Sequence, residues 1–236
     1  MKNFLTLSVI ALASMIAPQN IAGAQPNGPI LVELFTSQGC SSCPPADQIM
    51  SQLANNPNFI PISYHVTYWD YIGWKGSLGR RFSDKRQRAY SEFKNSKRVY
   101  TPQMVINGQK EFVGSRKNEA DRNLGKAKPV ANIQMTGKTP NEAMITLPPM
   151  RAGQYAIWIA GIDAAHSEKI TRGENRGKNI TYTNTVITLD QGERWDGKAK
   201  TVTIPLIQNS AIDHYVVFAQ REAFGQIVAA GKIMNN

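Results

Sequence analysis

One short stretch near the amino terminus constrains the fold of this 236-residue chain more than any other. An apolar run, Ile30 to Phe35, ends in a Ser/Gln/Gly loop that leads to Cys40 and Cys43, and two prolines follow at once. Because proline suits the first turn of a helix, the pattern predicts a strand, a loop with paired thiols, and a helix that begins near Pro44. The free amide groups and the positive dipole end of such a helix stabilise a thiolate. Cys40 is therefore the candidate nucleophile and Cys43 its resolving partner.

The spacing of the two cysteines admits several chemistries, because a CxxC pair serves zinc sites, haem attachment and disulfide exchange. These are the only cysteines of the chain, and its three histidines are scattered at His65, His166 and His214, so a four-ligand zinc site has no evident second half. No histidine directly follows Cys43, which excludes the haem-attachment pattern. A redox-active pair, a structural disulfide and a metal site stay open.

Residues 1 to 24 have the pattern of a secretory signal peptide. Lys2 supplies a positive charge, Phe4 to Ala17 form a short apolar core, and residues 22 to 24 read Ala-Gly-Ala, a typical cleavage site. No later apolar run reaches the length of about 20 residues that a membrane span needs. The sequence therefore predicts export to the bacterial periplasm or beyond, where disulfides persist, and no membrane span in the mature chain.

Composition divides the rest of the chain near Lys128 and Pro129. Residues 25 to 128 alternate strand and helix patterns in the order β-α-β-α-β-β-α, whereas residues 129 to 236 are short Thr-, Val- and Ile-rich runs between turn residues. The sequence thus predicts an α/β domain followed by an all-β, sandwich-like domain of seven strands. The elements predicted for the first domain are strands Ile30–Phe35, Phe59–Val66, Gln103–Ile106 and Lys110–Val113 and helices Pro44–Ala54, Arg81–Lys97 and Asn118–Lys126.

Three segments of the first domain carry a family resemblance. They read VELFTSQGCSSCPPAD at residues 32 to 47, HVTYWD at 65 to 70, and YTPQMVING at 100 to 108. These segments resemble an exported thioredoxin-like family that is catalogued only as a domain of unknown function. The resemblance implies a thioredoxin-like fold with the CxxC pair after strand one, and it implies no settled activity.

The resemblance also implies roles for three further residues. In thioredoxin-like proteins the proline that opens strand three is cis and lies beside the CxxC pair, and this place falls on Pro102. The main chain of the preceding residue pairs with an extended substrate, and that place falls on Thr101. A buried carboxylate on the strand before the CxxC accepts a proton from the second cysteine, and that role falls on Glu33. Burial raises the pKa of a carboxyl, as a general base near neutrality needs. The alternatives are an ordinary trans proline and a strand carboxylate that is hydrogen-bonded or faces water.

Four side chains at or just after the end of the second predicted strand complete the candidate site: His65, Tyr68, Trp69 and Asp70. Because parallel strands end at the same edge of a sheet, we expect these side chains to line the groove around the thiols. His65 would tune the Cys40 thiolate, and the aromatic rings would bind an unfolded chain or an apolar ligand. Packing of an inserted segment is the alternative.

Charge and one polar loop point to further contacts. Eight basic and two acidic residues lie between Arg80 and Arg98, a net charge of +6 that suits acidic partners, an anionic surface or solubility. No nucleic-acid-binding motif accompanies this charge, and an export signal argues against nucleic acid as a partner. Glu174, Asn175 and Arg176 lie in a polar run that is either a surface loop or a segment that docks against the first domain.

These features lead to three functional hypotheses. The first is an exported thiol-disulfide oxidoreductase that acts on protein thiols or disulfides without a cofactor. The second is a binding module on a thioredoxin scaffold that recruits an unknown envelope partner and does not use its disulfide. The third is soft-metal handling, in which Cys40 and Cys43 hold Cu(I) or zinc with help from His65 or a methionine.

Overall fold

A large sheet runs through the computed structural model, which describes residues 27 to 234. In this part of the chain the fold is mixed α/β, with a nine-stranded sheet, a three-stranded sheet and few helices. The signal peptide predicted at residues 1 to 24 lies outside the described residues. The strands are β1 Ile30–Thr36, β2 Phe59–His65, β3 Gln103–Ile106, β4 Lys110–Val113, β5 Ala131–Asn132, β6 Gln134–Lys138, β7 Glu142–Leu147, β8 Tyr155–Lys169, β9 Asn179–Trp195, β10 Lys200–Pro205, β11 His214–Arg221 and β12 Ile227–Met234. The helices are α1 Pro44–Ala54, α2 Arg81–Phe93 and α3 Lys117–Gly125, with one 3₁₀ turn at Asp70–Ile72.

The first half of the chain forms one end of the large sheet, in the order β4-β3-β1-β2. β1 and β2 are parallel, with Thr36 opposite His65, and β3 is antiparallel to β1. All of β1 is buried, as its unbroken apolar run predicts, because both faces of the sheet are covered here. Val32 and Leu34 belong to the core that includes α1 residues, whereas Phe35 packs with Tyr90 of α2 on the other face. The cysteines therefore follow a strand that is held from both sides.

The second helix ends four residues before the predicted boundary at Lys97. α2 ends at Phe93, and Asn95 and Lys97 adopt positive φ values of 49° and 51°, which turn the chain out of the helix. Its buried face is largely polar and includes Arg86 and Gln87, whereas Phe93 is 51% exposed. The residues after Lys97 consequently form an irregular segment that runs to β3.

Strands of the second half extend the same sheet instead of pairing only with one another. β9 lies beside β2, with Ser63 opposite Thr185, and the order continues β8-β11-β12-β5. Asn184 donates a hydrogen bond from its side chain to the carbonyl of Pro61 (2.9 Å) across this junction. One sheet therefore crosses the boundary predicted near Lys128, because β9 fills the edge that β2 leaves open.

The three-stranded sheet, in the order β10-β7-β6, packs on the large sheet through a shared apolar core. Ile145 and Leu147 from β7 join Ile157 and Val217 from the large sheet in this core. Within residues 27 to 234 no helix has both the length and the apolar character required to cross a bilayer.

Candidate functional site

Cys40 and Cys43 form a disulfide at the junction of β1 and α1, with their Cα atoms 5.5 Å apart. Hydrogen-bonded turns lead into the helix: the Cys40 amide donates to the Ser37 carbonyl (3.1 Å), and the Cys43 amide donates to the Cys40 carbonyl (3.2 Å). The Cys43 carbonyl accepts from the amide of Ala46 (2.8 Å), and the two prolines occupy the first helical positions. The pair thus lies at a helix start, as the local sequence predicts.

A loop from the second half of the chain covers the disulfide, and we call residues 170 to 178 the cap loop. Asn175 is 1% exposed, and its side-chain amide donates to the carbonyl oxygens of Gln38 and Cys40, both at 2.9 Å. The amide of Ser41 donates to the Glu174 carboxylate (3.3 Å). Under this loop Cys40 is only 2% exposed and Cys43 is fully buried. The docking interpretation of this loop therefore agrees with the contacts of Glu174 and Asn175.

Arg176, the third residue named in that loop, makes no side-chain hydrogen bond or ion pair with any described residue. It is exposed, whereas its neighbour Asn175 is buried. Lys178 instead supports Asn175, since its ammonium group donates to the Asn175 side-chain oxygen (2.8 Å). The buried Asn175 amide and the Glu174 carboxylate therefore connect the cap loop to the CxxC segment, and Lys178 supports Asn175 from within the loop.

The aromatic segment after β2 connects the CxxC loop with Thr101. The indole N–H of Trp69 donates to the Thr101 hydroxyl (2.7 Å), and a Cβ built on Gly39 would lie only 3.3 Å from the Trp69 Cβ. Tyr68 points elsewhere, donating to Gln87 of α2 (3.1 Å). Asp70 accepts from the Gly76 amide (3.2 Å) within its own loop. Of the side chains expected around the thiols, Trp69 is the one that contacts both the CxxC loop and Thr101. Tyr68 binds the segment to α2, and Asp70 stabilises the segment's own loop.

The Thr101–Pro102 peptide bond is cis, as the family resemblance implies. The Pro102 carbonyl accepts from the Gly114 amide (3.0 Å), which fixes the entry to β3. Pro102 and Ser42, which lies between the cysteines, line a common groove of about 1110 Å³. The groove therefore leads from the cis proline to the CxxC pair.

Glu33 is buried, and the contacts of its carboxylate lie on α2. Successive side chains of a strand point to opposite faces, so Glu33 lies on the face of the sheet away from Leu34 and α1. Its carboxylate accepts from the Arg86 guanidinium (2.6 Å) and from the Tyr90 hydroxyl. Burial holds the pKa of Tyr90 well above its ordinary value, so this hydroxyl keeps its proton. Glu33 is an element of a buried ion pair.

Asp47 is the carboxylate next to Cys43, and sequence reasoning missed it. It lies one turn into α1, where its amide donates to the Cys43 carbonyl (3.2 Å), and it is only 4% exposed. Burial raises the pKa of Asp47 to about 7, although a hydrogen bond from the Thr36 hydroxyl (2.8 Å) opposes this rise. Its other oxygen has no hydrogen-bond partner among the described residues. The sequence feature that could have identified Asp47 is an acidic residue four positions after the second cysteine, one helical turn along α1.

His65 and Tyr182 extend this buried polar cluster. Their rings meet edge to face with centroids 4.7 Å apart, and neither ring nitrogen of His65 has a hydrogen-bond partner in the described part of the chain. Burial, together with the smaller effects of the nearby charges of His166 and Arg80, lowers the pKa of His65 to about 3. His65 is thus neutral near pH 7 and offers no positive charge to stabilise the Cys40 thiolate.

No group of three or more His, Cys, Asp or Glu side chains lies close enough to hold a metal ion within the described residues. Both sulfur atoms are joined in the disulfide.

A family model described as a protein of unknown function, DUF1223, matches residues 31 to 220. The chain belongs to the DUF1223 family. This membership confirms the resemblance to a family catalogued as a domain of unknown function. Comparison with curated proteins finds no match for this DUF1223 protein.

Two solved structures resemble this DUF1223 protein. A crystal structure of a protein from Agrobacterium tumefaciens has 26% sequence identity and a TM-score of 0.72, over 90% of this chain and 97% of that chain. HBP35 of Porphyromonas gingivalis has 11% identity and a TM-score of 0.60, over 89% of this chain and 76% of that chain. At that identity the second likeness concerns the fold alone.

Proposed function

We propose that this DUF1223 protein is an exported thiol-disulfide oxidoreductase with Cys40 and Cys43 as its redox pair. The observation that carries the proposal is a CxxC disulfide at the start of α1 whose intervening Ser42 lines the same groove as the cis Pro102. The strand order β4-β3-β1-β2, with parallel β1 and β2, supports a thioredoxin-like unit in the first half. The signal-peptide pattern of residues 1 to 24 supports action in the periplasm or outside the cell.

Exchange would proceed in two balanced steps. The Cys40 thiolate attacks one sulfur of a substrate disulfide, which forms a mixed disulfide and expels the other substrate sulfur as a thiolate. The Cys43 thiol then loses its proton and attacks the Cys40 sulfur, which closes the protein disulfide and releases the second substrate thiolate. Two electrons pass from the protein to the substrate, and the reverse sequence oxidises a dithiol substrate.

Asp47 is the proposed proton acceptor for Cys43. With a pKa of about 7 its carboxyl exists in both protonation states near neutrality, as a group that both accepts and returns a proton must. It lies in the first turn of the helix that Cys43 begins, and one of its oxygens is left without a partner by the described residues. Asp47 thus takes the role that the sequence analysis gave to Glu33.

Access to Cys40 depends on the cap loop. An incoming sulfur must approach along the line of the breaking bond, and Cys40 is 2% exposed beneath Asn175. Displacement of the cap loop therefore precedes exchange. An extended substrate in the groove would then lie beside Thr101, where the resemblance places substrate main chain.

Substitution of each cysteine tests this mechanism. Reduced Cys43→Ser is expected to accumulate a mixed disulfide with glutathione disulfide, seen as a mass increase, because nothing resolves it. Cys40→Ser is expected to form none. Ser51→Ala, on the exposed side of α1, is the control and should exchange like the parent protein. Parent-like exchange by both cysteine variants would refute the mechanism.

The burial of Cys40 also favours a second candidate function. A fully covered disulfide is typical of a structural cross-link, so the protein would be a binding module on a thioredoxin scaffold with an envelope partner. In that case the oxidised protein would resist reduction by dithiothreitol until it unfolds. Reduction of the folded protein separates the two candidates.

A further inference from the structure

The groove beside Ser42 has a wall of unpaired main chain. Residues 97 to 101 follow α2 without regular structure, and their five amide groups donate no hydrogen bond to any described residue. Of their carbonyl groups only that of Tyr100 accepts one, from the Gln87 side chain (2.7 Å). Val99 is 40% exposed on this wall. Such a run of free donors and acceptors is a template for pairing with another extended chain.

The side chains around this wall carry an excess of positive charge. Lys97, Arg98 and Arg116 line the groove together with a single acidic residue, Glu111. The Glu111 carboxylate is already engaged, since Lys94 lies 3.3 Å away and the Gln103 side chain donates to it at 2.9 Å.

The three cations are less engaged than this carboxylate. Lys97 and Arg98 form no ion pair within residues 27 to 234, and Arg116 has only Glu119 at 3.6 Å. The groove thus offers two cations, Lys97 and Arg98, that lack a carboxylate partner among the described residues. It lies at the end of the basic stretch between Arg80 and Arg98 that the redox chemistry does not use.

We propose that this groove binds an extended, acidic polypeptide segment of the substrate protein. Its main chain would pair with residues 98 to 100, and its carboxylates would meet Lys97, Arg98 and Arg116. These three residues lie between Lys97, where a positive φ turns the chain, and the bend at Thr101, and they span about 10 Å at about 3.3 Å per residue. The substrate assignment rests on the proposed function, because the Ser42 end of the groove would deliver a bound cysteine to Cys40. Binding itself needs no redox step.

Peptide binding to the oxidised protein tests the inference. The probe is a fluorescein-labelled, cysteine-free octapeptide with alternating Glu and Thr, measured by fluorescence anisotropy, and its matched control carries Gln in place of each Glu. The acidic peptide is expected to bind about tenfold more tightly at low salt, the combined effect of three weak surface ion pairs. The difference should shrink at high salt because screening weakens exposed charge pairs.

Two variants and one modified peptide locate the site. Lys97→Glu/Arg98→Glu should abolish the preference for the acidic peptide, whereas Lys198→Glu/Lys200→Glu, with the same change in net charge near β10, should retain it. N-methylation of alternate peptide amides should weaken binding strongly, since it removes main-chain donors. Arg98→Gln serves as a milder variant if the double substitution impairs folding.

Several results would overturn the inference. Equal binding of the Glu and Gln peptides, equal losses in the two double variants, or full competition by a single-stranded oligothymidylate would each exclude an acidic-peptide groove. The inference and the redox proposal fail separately. Trapping by Cys43→Ser without peptide preference would refute the groove alone, and peptide preference without trapping would refute the redox mechanism alone.

Discussion

Asp47→Asn is expected to stabilise the protein at pH 8 and to leave its stability unchanged at pH 4. Burial raises the pKa of Asp47 from its ordinary value of 3.8 to about 7, so between these values the folded protein holds a proton that the unfolded chain releases. The contribution of Asp47 to stability is therefore highest below pH 4 and falls as the pH rises towards and through 7. At about 1.4 kcal/mol for each pH unit, the fall amounts to about 4 kcal/mol.

Asparagine is the matched replacement because it stays neutral at every pH. Its oxygen is able to accept the Thr36 hydroxyl bond that Asp47 accepts at 2.8 Å, and its amide group replaces the oxygen that lacks a partner among the described residues. The stability of the variant should therefore not fall with pH as the Asp47 carboxyl makes that of the parent fall. Closure of the Cys40–Cys43 disulfide should also be slower in the variant, because asparagine accepts no proton.

Urea unfolding of the oxidised proteins at pH 4, 5.5, 7 and 8 measures the effect. Asp121→Asn is the control, since the Asp121 side chain is 57% exposed and pairs with Lys117 on the surface. This exposed pair should contribute less than about 1 kcal/mol at any of these pH values. A difference between Asp47→Asn and the parent that is the same at pH 4 and pH 8 would refute the reasoning.

Two further substitutions probe the cap loop and the buried ion pair. Asn175→Ala removes two hydrogen bonds, worth about 2 kcal/mol together, so reduction of the disulfide by dithiothreitol should be about 30-fold faster, whereas Arg176→Ala should react like the parent. An unchanged rate in Asn175→Ala would mean that the loop is not the barrier. Arg86→Met leaves the Glu33 carboxylate buried without its cation and should lower the free energy of unfolding by about 3–5 kcal/mol. Lys117→Met, which removes an exposed ion pair, is the control, and urea unfolding should show that it lowers the free energy of unfolding by less than about 1 kcal/mol. Equal losses in Arg86→Met and Lys117→Met would contradict the argument from burial.

The local signals of the chain predict the start of the site well. β1, the CxxC pair and α1 lie where the apolar run and the two prolines place them, and α1 spans Pro44–Ala54 as predicted. These features depend on residues within about one turn of each other, so their information is local. The family resemblance adds the cis Thr101–Pro102 bond, which no local pattern indicates.

Side-chain alternation along β1 determines which face of the sheet Glu33 occupies. The resemblance assigned proton transfer to Glu33, but side-chain alternation along β1 directs it away from α1, whereas Asp47 lies on α1 itself. The partner of Glu33 is Arg86, 53 residues away, and this contact makes a polar face of α2 the buried one. Because this buried face is polar, the periodicity of apolar residues does not identify it.

The docking of the cap loop and the pairing of β9 with β2 depend on contacts between residues that are far apart in the sequence. Asn175 bonds to the Cys40 carbonyl across 135 residues, and the polar run around it has the composition of an ordinary surface loop. The pairing of β9 with β2 is equally remote in sequence. The turn residues that separate the predicted strands of the second half give no indication of which sheet those strands join.

The reduction potential of the Cys40–Cys43 pair tests the proposed function most directly. Mature protein would be equilibrated in glutathione buffers of known potential, quenched with an alkylating reagent, and its modified thiols counted by mass. The redox proposal predicts reversible behaviour with a potential between about −270 and −120 mV, the range of dithiol catalysts. A disulfide that stays closed below about −300 mV would contradict it, because structural disulfides behave in this way.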